Sequence, residues 1–502
     1  MLHCLQDRRP QREDPRANAE QCEQGILLPM MNSDALRVIQ AAPSRRDSHE
    51  MAALGVPFLA HLIDDLEEKQ AEHSECIGRW YQRDLLRKGR FVVRSVWDNE
   101  PVQATQSVLL EDKTIAYGFG SALNFWLFAG SLGEGAPIQG IYLPQRAILI
   151  NLGHEAWGVT EAHVRKAMSI FNSLPLDMDR ISGPTPSLVT GDASFAHHIW
   201  NQLGALDRLI ADEPEFTLER TNVVVMQEPL GPLAELFDDC PNWKIRYVHS
   251  SRVQQLNCRD ILFVQLAGML VTEGAKARVF KYLERTVNLP EAAVRRNPAG
   301  RFWLSIRTRN RTITNQVQFL TELANSLIDE YPGCDIVLDG HSLSEDDYRL
   351  VELGDTSNHA IAAADADVAA KVIKRLAQRN SKIYQTAGRP LSEALALART
   401  CDFYVCHHGT VQHKIGWFTC VPGVAHANTR VTRSKPALSV AAQTEGSPPP
   451  SYLPAELIED EASNARGSLA DALKHENYTI VSVDEACRFV LSEIKATTAL
   501  KA

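Results

Sequence analysis

Three arginines at alternating positions could bind a phosphorylated ligand. Arg307, Arg309 and Arg311 directly follow the apolar run 302–306. If the backbone stays extended there, side chains at every second position project to one side, so the three guanidinium groups would converge. The planar guanidinium fork suits phosphate oxygens, and a diphosphate carries enough charge to use two of them. The spacing favours an anion site, although a solvated turn with ordinary surface arginines fits the same residues.

A second candidate is the segment Cys406-His407-His408-Gly409-Thr410, which also follows an apolar run. Glycine lets the backbone approach a ligand closely, and Thr410 could cap the short helix predicted after it. The first amides of that helix would favour an anion, and His408 could donate to a phosphate or ribose oxygen. The alternative is a structural histidine pair. Two histidines without an obvious third ligand do not predict a zinc site.

The third candidate is residues 191–206, where a predicted strand ends and a helix begins. His197 and Asn201 are four residues apart and therefore share a helix face. Because histidine titrates near neutral pH, either His197 or His198 could serve as a general base. The alternative for either histidine is a side chain whose hydrogen bonds are satisfied in the core.

The elements that position these residues follow from hydrophobic periodicity. Residues 51–90 show helical spacing, and later apolar runs bounded by turn residues predict strands. From residue 185, strands alternate with helices, which indicates parallel sheets covered on both faces. The predicted strands of the first part are 91–97, 107–110, 114–117, 147–151, 187–190, 221–226 and 243–248, and a helix is predicted at 193–211.

The same alternation restarts after the Pro- and Gly-bounded segment 290–300. Its strands are predicted at 302–306, 334–339, 382–385, 401–406 and 421–425, and its helices at 315–330, 366–378, 392–399 and 411–418. Five strands in this pattern predict a doubly wound, Rossmann-like domain, in which ligands bind outside the carboxyl ends of the strands. The crevice between the two α/β domains is therefore the expected site.

The domain organisation predicted from these patterns has four parts. A disordered leader is expected at 1–50, a first α/β domain at 51–290, and a second, Rossmann-like domain at 301–434. A loop and closing helices, at 468–474 and 483–494, are expected in 435–502.

Composition excludes several classes of protein. The chain has 502 residues, 44% of them apolar and 23% charged, which is ordinary for globular domains. Its net charge of −10 argues against a nucleic-acid partner, which needs a basic face. The ten cysteines include no C-x-x-C pair, so buried thiols in a reducing compartment are expected.

The chain also lacks membrane signals in its sequence. No run approaches the roughly 20 apolar residues of a membrane span, and residues 1–24 contain no apolar signal-peptide core. We therefore predict a cytoplasmic protein. Peripheral membrane contact stays open, although no strongly basic amphipathic helix indicates it.

Taken in order, the three candidate segments resemble motifs of glycosyltransferase family 61 and its relatives of the GT-B fold. Members carry a segment like N-x-x-H-W-[LF]-[LF]-[DE], a strand ending in arginine with a downstream R-x-[IL]-x-N, and an H-G-[AS]-[AG] turn. Here these read 194–201, Arg307 followed by Arg311-Thr-Ile-Thr-Asn315, and His408-Gly409-Thr410-Val411. The resemblance covers about residues 90–430.

The sequence departs from these motifs at three places. Ser194 stands where the family has asparagine, and Asn201 stands where it has a carboxylate, so no base is assigned at Asn201. Thr410 and Val411 replace two small residues, which narrows the approach of the backbone to a donor.

The resemblance implies an inverting transferase that takes a nucleotide-sugar as substrate and uses neither a metal nor another cofactor. The acceptor, a glycan, a lipid-linked glycan or a protein, would lie against the first domain. The expected general base on the acceptor hydroxyl is His197, with Asp192 and His198 as further candidates. The donor would bind the second domain through Arg307, Arg309, Arg311, Asn315, His408, Gly409 and Thr410. A non-catalytic nucleotide-sugar-binding module, a nucleotide-sugar epimerase, a hydrolase and an interaction scaffold are the alternatives.

Overall fold

The structure is a computed structural model of the chain. It describes residues 36–41, 54–72, 79–120, 124–130, 135–153, 158–175, 185–214, 221–290, 293, 295–344, 346–348, 356–435, 442–461 and 476–499. Most of the predicted leader and the predicted helix at 468–474 lie outside these residues.

A seven-stranded, mostly antiparallel sheet comes first, in the order β1-β7-β6-β5-β4-β3-β2. Alternate residues of β5 face opposite cores, because Trp126 and Phe128 pack under α3 whereas Phe125 and Leu127 pack with α1 and α2. The strands are β1 Arg37–Gln40, β2 Val92–Arg94, β3 Pro101–Leu109, β4 Ile115–Phe119, β5 Phe125–Ala129, β6 Ile138–Leu143 and β7 Ile148–Asn151. The helices are α1 Leu59–Glu72, α2 Trp80–Lys88 and α3 Glu161–Ser173.

Strand β1 corrects part of the predicted leader. Residues 37–40 pair in parallel with β7, and Ile39 is buried. This short run lies in a polar segment of mixed charge, so its pattern did not predict a strand, and the pairing becomes visible only when the edge of β7 is in place.

The second sheet is parallel and has the order β10-β9-β8-β11. In chain order this is 3-2-1-4, which is the beginning of the Rossmann arrangement. Its strands are β8 Thr185–Thr190, β9 Asn222–Val225, β10 Lys244–Tyr247 and β11 Ile261–Gln265. Its helices are α4 Phe195–His197, α5 Gly204–Asp212, α6 Leu233–Leu236 and α7 Glu273–Thr286, and a π-helical segment, His198–Leu203, joins α4 to α5.

The third sheet is also parallel, and its six strands follow the complete Rossmann order, 3-2-1-4-5-6. They are β12 Arg301–Ser305, β13 Asp335–Asp339, β14 Lys382–Gln385, β15 Phe403–His407, β16 Gly423–His426 and β17 Ser451–Tyr452. The sequence predicted only five of them. It missed β17 because a two-residue strand has no periodicity and pairs only through the edge of β16.

The helices of this third sheet are α8 Gln316–Glu330, α9 Ser357–Arg375, α10 Leu391–Ala398, α11 Thr410–Gly416 and α12 Thr429–Ser434. Helix α9 begins nine residues before the predicted start at 366 and ends at Arg375. A two-stranded antiparallel pair, β18 Ile458–Asp460 and β19 Tyr478–Ile480, and the helix α13 Val483–Ala499 close the described chain.

The two faces of the third sheet are covered by different helices. Phe302 and Leu304 of β12 pack in one core with α8, α9 and α13, whereas Trp303 packs in another with α10 and α11. The predicted fold class, α/β with two tandem Rossmann-like sheets and extra N-terminal strands and helices, is therefore confirmed. Among the described helices, none is both long and apolar enough to cross a membrane.

Candidate functional site

The topology of the third sheet puts a crevice between the carboxyl ends of β12 and β15. Helix α8 follows β12 and lies on one face, and α11 follows β15 and lies on the other. Where neighbouring parallel strands send their helices to opposite faces, the chain leaves an opening that binds ligands in open α/β sheets. The predicted arginine and histidine segments begin at these two strand ends.

The arginine segment turns rather than staying extended. Arg311 has a left-handed backbone, with φ +54°, and Arg307 binds its own turn. Its Nε donates to the carbonyl of Asn310 at 2.6 Å, and its Nη2 donates to Asn310 Oδ1 at 2.6 Å. Arg309 is exposed. The prediction that all three project to one side from an extended strand is therefore wrong, because the chain bends back after Arg307.

The bend nevertheless brings Arg307 and Arg311 close together in a desolvated place. Burial, together with the neighbouring charge of Arg311, lowers the pKa of Arg307 to about 10. Burial also lowers the pKa of Arg311, whose Nε is enclosed without a hydrogen-bond partner among the described residues. Neither guanidinium forms an ion pair in the part of the chain that the structure describes. Two cations held close together without an ion pair favour binding of an anion, although the nearby Asp365 offsets part of the charge of Arg307.

Gly409 lets the arginine segment reach the end of β15. Its φ is +106°, a backbone conformation that side chains other than hydrogen disfavour. A Cβ atom at this position would lie 3.2 Å from Nη1 of Arg311, so the guanidinium lies directly against the glycine backbone. Thr410 is exposed and begins α11.

His408 is held by Tyr452 at the end of β17. Its Nδ1 lies 3.3 Å from the hydroxyl of Tyr452. Burial, together with the nearby charges of Arg311 and Arg307, lowers the pKa of His408 to about 4, so the ring is neutral at pH 7. With Nδ1 engaged, Nε2 is the nitrogen left for a ligand beside Arg311.

His197 has a defined orientation on the other side of the crevice. The side-chain amide of Asn201 donates through Nδ2 to the carbonyl of Gly268 at 2.7 Å, which turns its Oδ1 toward His197. Nδ1 of His197 lies 2.9 Å from that oxygen. Since an amide oxygen only accepts, Nδ1 carries the proton and Nε2 keeps its lone pair. This is the tautomer that a general base requires.

The other two predicted base candidates have different surroundings. Asp192 pairs with Lys113 through Oδ2, and its Oδ1 accepts the backbone N–H of Ser194 at 2.8 Å. His198 is fully buried, and burial lowers its pKa to about 3. Neither arrangement offers a free basic atom to an acceptor in the crevice.

The side-chain amide of Asn315 binds the backbone of β19. Its Nδ2 donates to the carbonyl of Ile480 at 2.9 Å, and its Oδ1 accepts the N–H of the same residue at 3.2 Å. Both halves of the amide are therefore used to hold β19 against the start of α8.

Aromatic contacts join the two halves of the site. Trp200, next to His197, lies 5.8 Å from Trp417 between ring centroids, and Phe195 lies 6.5 Å from Phe418. These contacts place α4 and the π-helical segment against α11. His197 is thereby brought to the crevice that contains Arg311 and His408.

Several residues near the arginines are absent from the sequence predictions. Asp365 of α9 accepts from the hydroxyl of Thr308 at 2.6 Å and from the backbone N–H of His341 at 2.7 Å, so it anchors the arginine segment to the end of β13. His413 of α11 also lies near the crevice. The one sequence signal for His413 was its position one helical turn after His408-Gly409. No sequence signal linked Asp365 to the arginines, because they are more than 50 residues apart.

Comparisons with known proteins add weak similarities. No protein-family model matches the sequence, and no curated protein matches it significantly. Among solved structures, the chain is similar to E. coli ADP-heptose LPS heptosyltransferase II, with 14% identity, 63% of this chain and 99% of that chain covered, and a TM-score of 0.32.

Two further solved structures show weaker similarity. A putative UDP-N-acetylglucosamine 2-epimerase from Listeria monocytogenes has 13% identity, coverage of 54% of this chain and 72% of that chain, and a TM-score of 0.23. A TarM variant from S. aureus, in complex with fondaparinux, α-GlcNAc-glycerol and UDP, has 9% identity, coverage of 81% and 67%, and a TM-score of 0.20. Similarities of this size assign neither a family nor an activity. The resemblance to family 61 stays a prediction.

Proposed function

We propose that this chain is a glycosyltransferase that moves a sugar from a nucleoside-diphosphate donor to a hydroxyl group of an acceptor. The observation that carries the proposal is the placement of two unpaired, desolvated arginines opposite a histidine with a free basic nitrogen. The arginines lie at the ligand-binding end of a Rossmann-ordered sheet. His197 belongs to the other Rossmann-like sheet.

The donor half of the site suits a diphosphate. Arg311 presents its Nη groups beside the bare backbone of Gly409. His408 adds a neutral hydrogen-bonding nitrogen, which does not repel the arginines. When the bond between sugar and diphosphate breaks, negative charge grows on the leaving oxygen. Fixed positive charge in a water-poor place stabilises that charge more than it stabilises the intact donor.

The acceptor half of the site suits removal of a proton. Nε2 of His197 takes the proton from the acceptor hydroxyl as the oxygen attacks the anomeric carbon, and the diphosphate leaves from the opposite side. This single displacement inverts the anomeric configuration and needs one base and one stabilised leaving group. In this scheme the protein cations take the place of a divalent metal on the diphosphate. Asp192 and His198 have no part in the transfer.

A nucleotide-binding panel tests the donor half. Calorimetry and thermal unfolding are measured with UDP, GDP, ADP and CMP and their common sugar conjugates. A ligand at about 100 times its dissociation constant should add roughly 2.7 kcal/mol to the free energy of unfolding. Because hydrogen bonds to a charged group are lost, Arg311→Ala should weaken that binding about 10- to 100-fold.

The matched control is Arg488→Ala, since Arg488 is an exposed arginine of α13 that pairs only loosely with Glu485. This variant should bind as the wild type does. Equal affinity of the wild type and Arg311→Ala would contradict the donor site.

A second experiment separates transfer from epimerisation. A bound donor is incubated with glycan and lipid-linked acceptors, and a new glycosidic product supports transfer. A changed sugar epimer formed without acceptor would point to an epimerase.

A further inference from the structure

His413 is a buried histidine of α11 to which the proposed transfer assigns no role. Its ring stacks on the indole of Trp417, with 3.6 Å between centroids and 10° between the planes. The stack fixes the plane of the imidazole. Trp417 in turn contacts Trp200 across the interface between the two sheets, so His413 is held at the junction of the two halves of the site.

Hydrogen bonds from two neighbouring side chains determine which nitrogen of this ring carries the proton. Gln412 donates through Nε2 to the hydroxyl of Tyr404 at 2.9 Å, which directs its Oε1 at Nδ1 of His413, 3.0 Å away. The amide oxygen accepts, so Nδ1 carries the proton and Nε2 carries a lone pair. Nε2 makes no hydrogen bond to any described residue. It is also not sealed from solvent, in contrast to Nε2 of His407 and His426.

The position of the ring places it between the two halves of the proposed site. His413 lies one helical turn after Gly409, against which Arg311 lies, and its stacking partner Trp417 contacts Trp200, whose ring stacks with that of His197 at 6.1 Å between centroids. Burial holds the pKa of His413 well below its usual value, and the charges of His408, His197 and Arg311 act in the same direction. Arg311 and His408 belong to the diphosphate half of the site, and His197 is the base. In a single displacement, the transferred sugar occupies the space between the leaving diphosphate and the base.

We propose that Nε2 of His413 accepts a hydrogen bond from a hydroxyl group of the transferred sugar, which makes His413 a specificity-determining residue. This inference rests on the proposed function. A neutral ring that presents only a lone pair accepts a hydrogen bond from a sugar hydroxyl group. It makes no such bond to a deoxy sugar that lacks the hydroxyl at that position. A site built to bind a hydroxyl discriminates strongly against an analogue that lacks it, because its polar atom is then left unpaired.

Three substitutions separate this hydrogen bond from packing. His413→Phe keeps an aromatic ring on Trp417 and removes both nitrogens. His413→Asn keeps a polar atom near the position of Nδ1 but does not reach Nε2. His413→Gln places an amide oxygen near the position of Nε2. The Phe and Asn variants therefore test the same loss in two ways, and the Gln variant is the rescue.

The measurement is a ratio of dissociation constants. Calorimetry gives the dissociation constants of UDP, GDP and ADP and of their glucose, galactose and mannose conjugates, for the wild type and each variant. The bare nucleoside diphosphate should bind all four proteins within about twofold. The gain in affinity from the sugar is the dissociation constant of the bare diphosphate divided by that of its sugar conjugate. For the preferred sugar, this ratio should fall about tenfold in the Phe and Asn variants. It should return to within about threefold of wild type in the Gln variant.

Each other result has a definite meaning. If no nucleotide binds the wild type, the proposed function fails and this inference fails with it. If the diphosphates bind normally and the sugar gain is the same in all four proteins, His413 does not contact the sugar, although the proposed function stands. A wild type that gains nothing from any of the three sugars also overturns the assignment.

Discussion

At the scale of single residues, the site depends on polar atoms that the fold leaves available. Arg307 and Arg311 are close together without an ion pair among the described residues, so their charges repel until an anion binds. On the facing side, one amide, that of Asn201, decides which nitrogen of His197 is basic. The family motif has a carboxylate at that position. Asparagine still orients the ring, but it does not add the negative charge that would stabilise the protonated form.

The role of His197 can be tested by substitution. His197→Ala should lower kcat about 10²- to 10⁴-fold, because general-base catalysis typically contributes that much. The dissociation constant of the nucleoside diphosphate should stay unchanged. Asn201→Ala should lower kcat less, since the basic nitrogen remains but the tautomer is no longer set. Steady-state and binding measurements on the same preparations check both.

His61→Ala is the matched control, because His61 is an exposed histidine of α1. It should leave kcat and binding unchanged. A kcat of His197→Ala within about threefold of wild type would remove His197 from the mechanism, given the size of effect expected of a base.

At the scale of elements, buried polar contacts hold the loops and helices of the crevice in register. Lys414 of α11 donates to Asp339 Oδ1 and to the carbonyl of Gly340, both at 2.6 Å, and so ties α11 to the end of β13. Asn315 ties the start of α8 to β19. Such contacts keep Gly409 and the arginine segment at fixed positions, which preorganises the site.

The structural role of Asn315 gives a prediction that differs from donor binding. Asn315→Ala removes two hydrogen bonds and leaves the backbone groups of Ile480 without a partner, so the free energy of unfolding should fall by about 1–3 kcal/mol. Nucleoside-diphosphate affinity should stay within about twofold of wild type. Denaturant unfolding and calorimetry measure the two quantities.

Asn297→Ala is its control, because Asn297 makes a similar pair of contacts, to Gly333 and Ala299, in a more exposed place. It should cost less than about 1 kcal/mol, since water replaces the lost partners. Normal stability of Asn315→Ala together with weakened nucleotide binding would instead make Asn315 a donor ligand.

At the scale of the whole molecule, the fold encloses an unusual number of histidines in neutral form. Burial is the main cause in each case. The pKa is lowered to about 3 for His198 and His426, to about 4 for His341 and His408, and well below the usual value for His407 and His413. Burial raises the pKa of Asp339 and Asp365. Their effect on the pH dependence of the free energy of unfolding has the opposite sign, but only at the lower pH where carboxylates titrate.

These histidines should make the protein sensitive to mild acid. The unfolded chain takes up protons near pH 6.5, whereas the folded chain does not until about pH 4 or below, so the free energy of unfolding falls as the pH drops through this window. Each histidine costs about 1.4 kcal/mol per pH unit below 6.5. Six of them cost on the order of 8 kcal/mol at about pH 5.5, which is comparable to the total stability of a typical protein.

Thermal unfolding between about pH 8 and pH 5 measures this effect. The melting temperature should be level above pH 7 and fall steeply below about pH 6.5. His426→Gln should make the fall shallower, because one proton-binding group is lost from the unfolded chain. A flat melting temperature down to about pH 5.5 would mean that these rings are charged or exposed in the folded protein.

The sequence by itself determined the fold class and most of the elements. Alternating apolar runs and helical spacing predicted both parallel sheets, and each predicted site segment lies where a strand ends. These features are local, since they depend on residues a few positions apart and on the period of burial. The same reasoning gave no strand at β1, β5, β6, β11 or β17. A continuous apolar run such as β5 or β11 does not distinguish a strand from a buried helix, and β1 and β17 exist only through the edge they join.

The tertiary structure alone decided which candidates meet. Strand order places Arg311 against Gly409, about 100 residues away in the sequence, and aromatic contacts bring His197 to the same crevice. It also decided that His198 is enclosed, that Asn315 holds β19 and that His413 stacks on Trp417. Such distinctions depend on contacts between distant segments and on the burial of single atoms, and neighbouring residues in a sequence do not encode them locally.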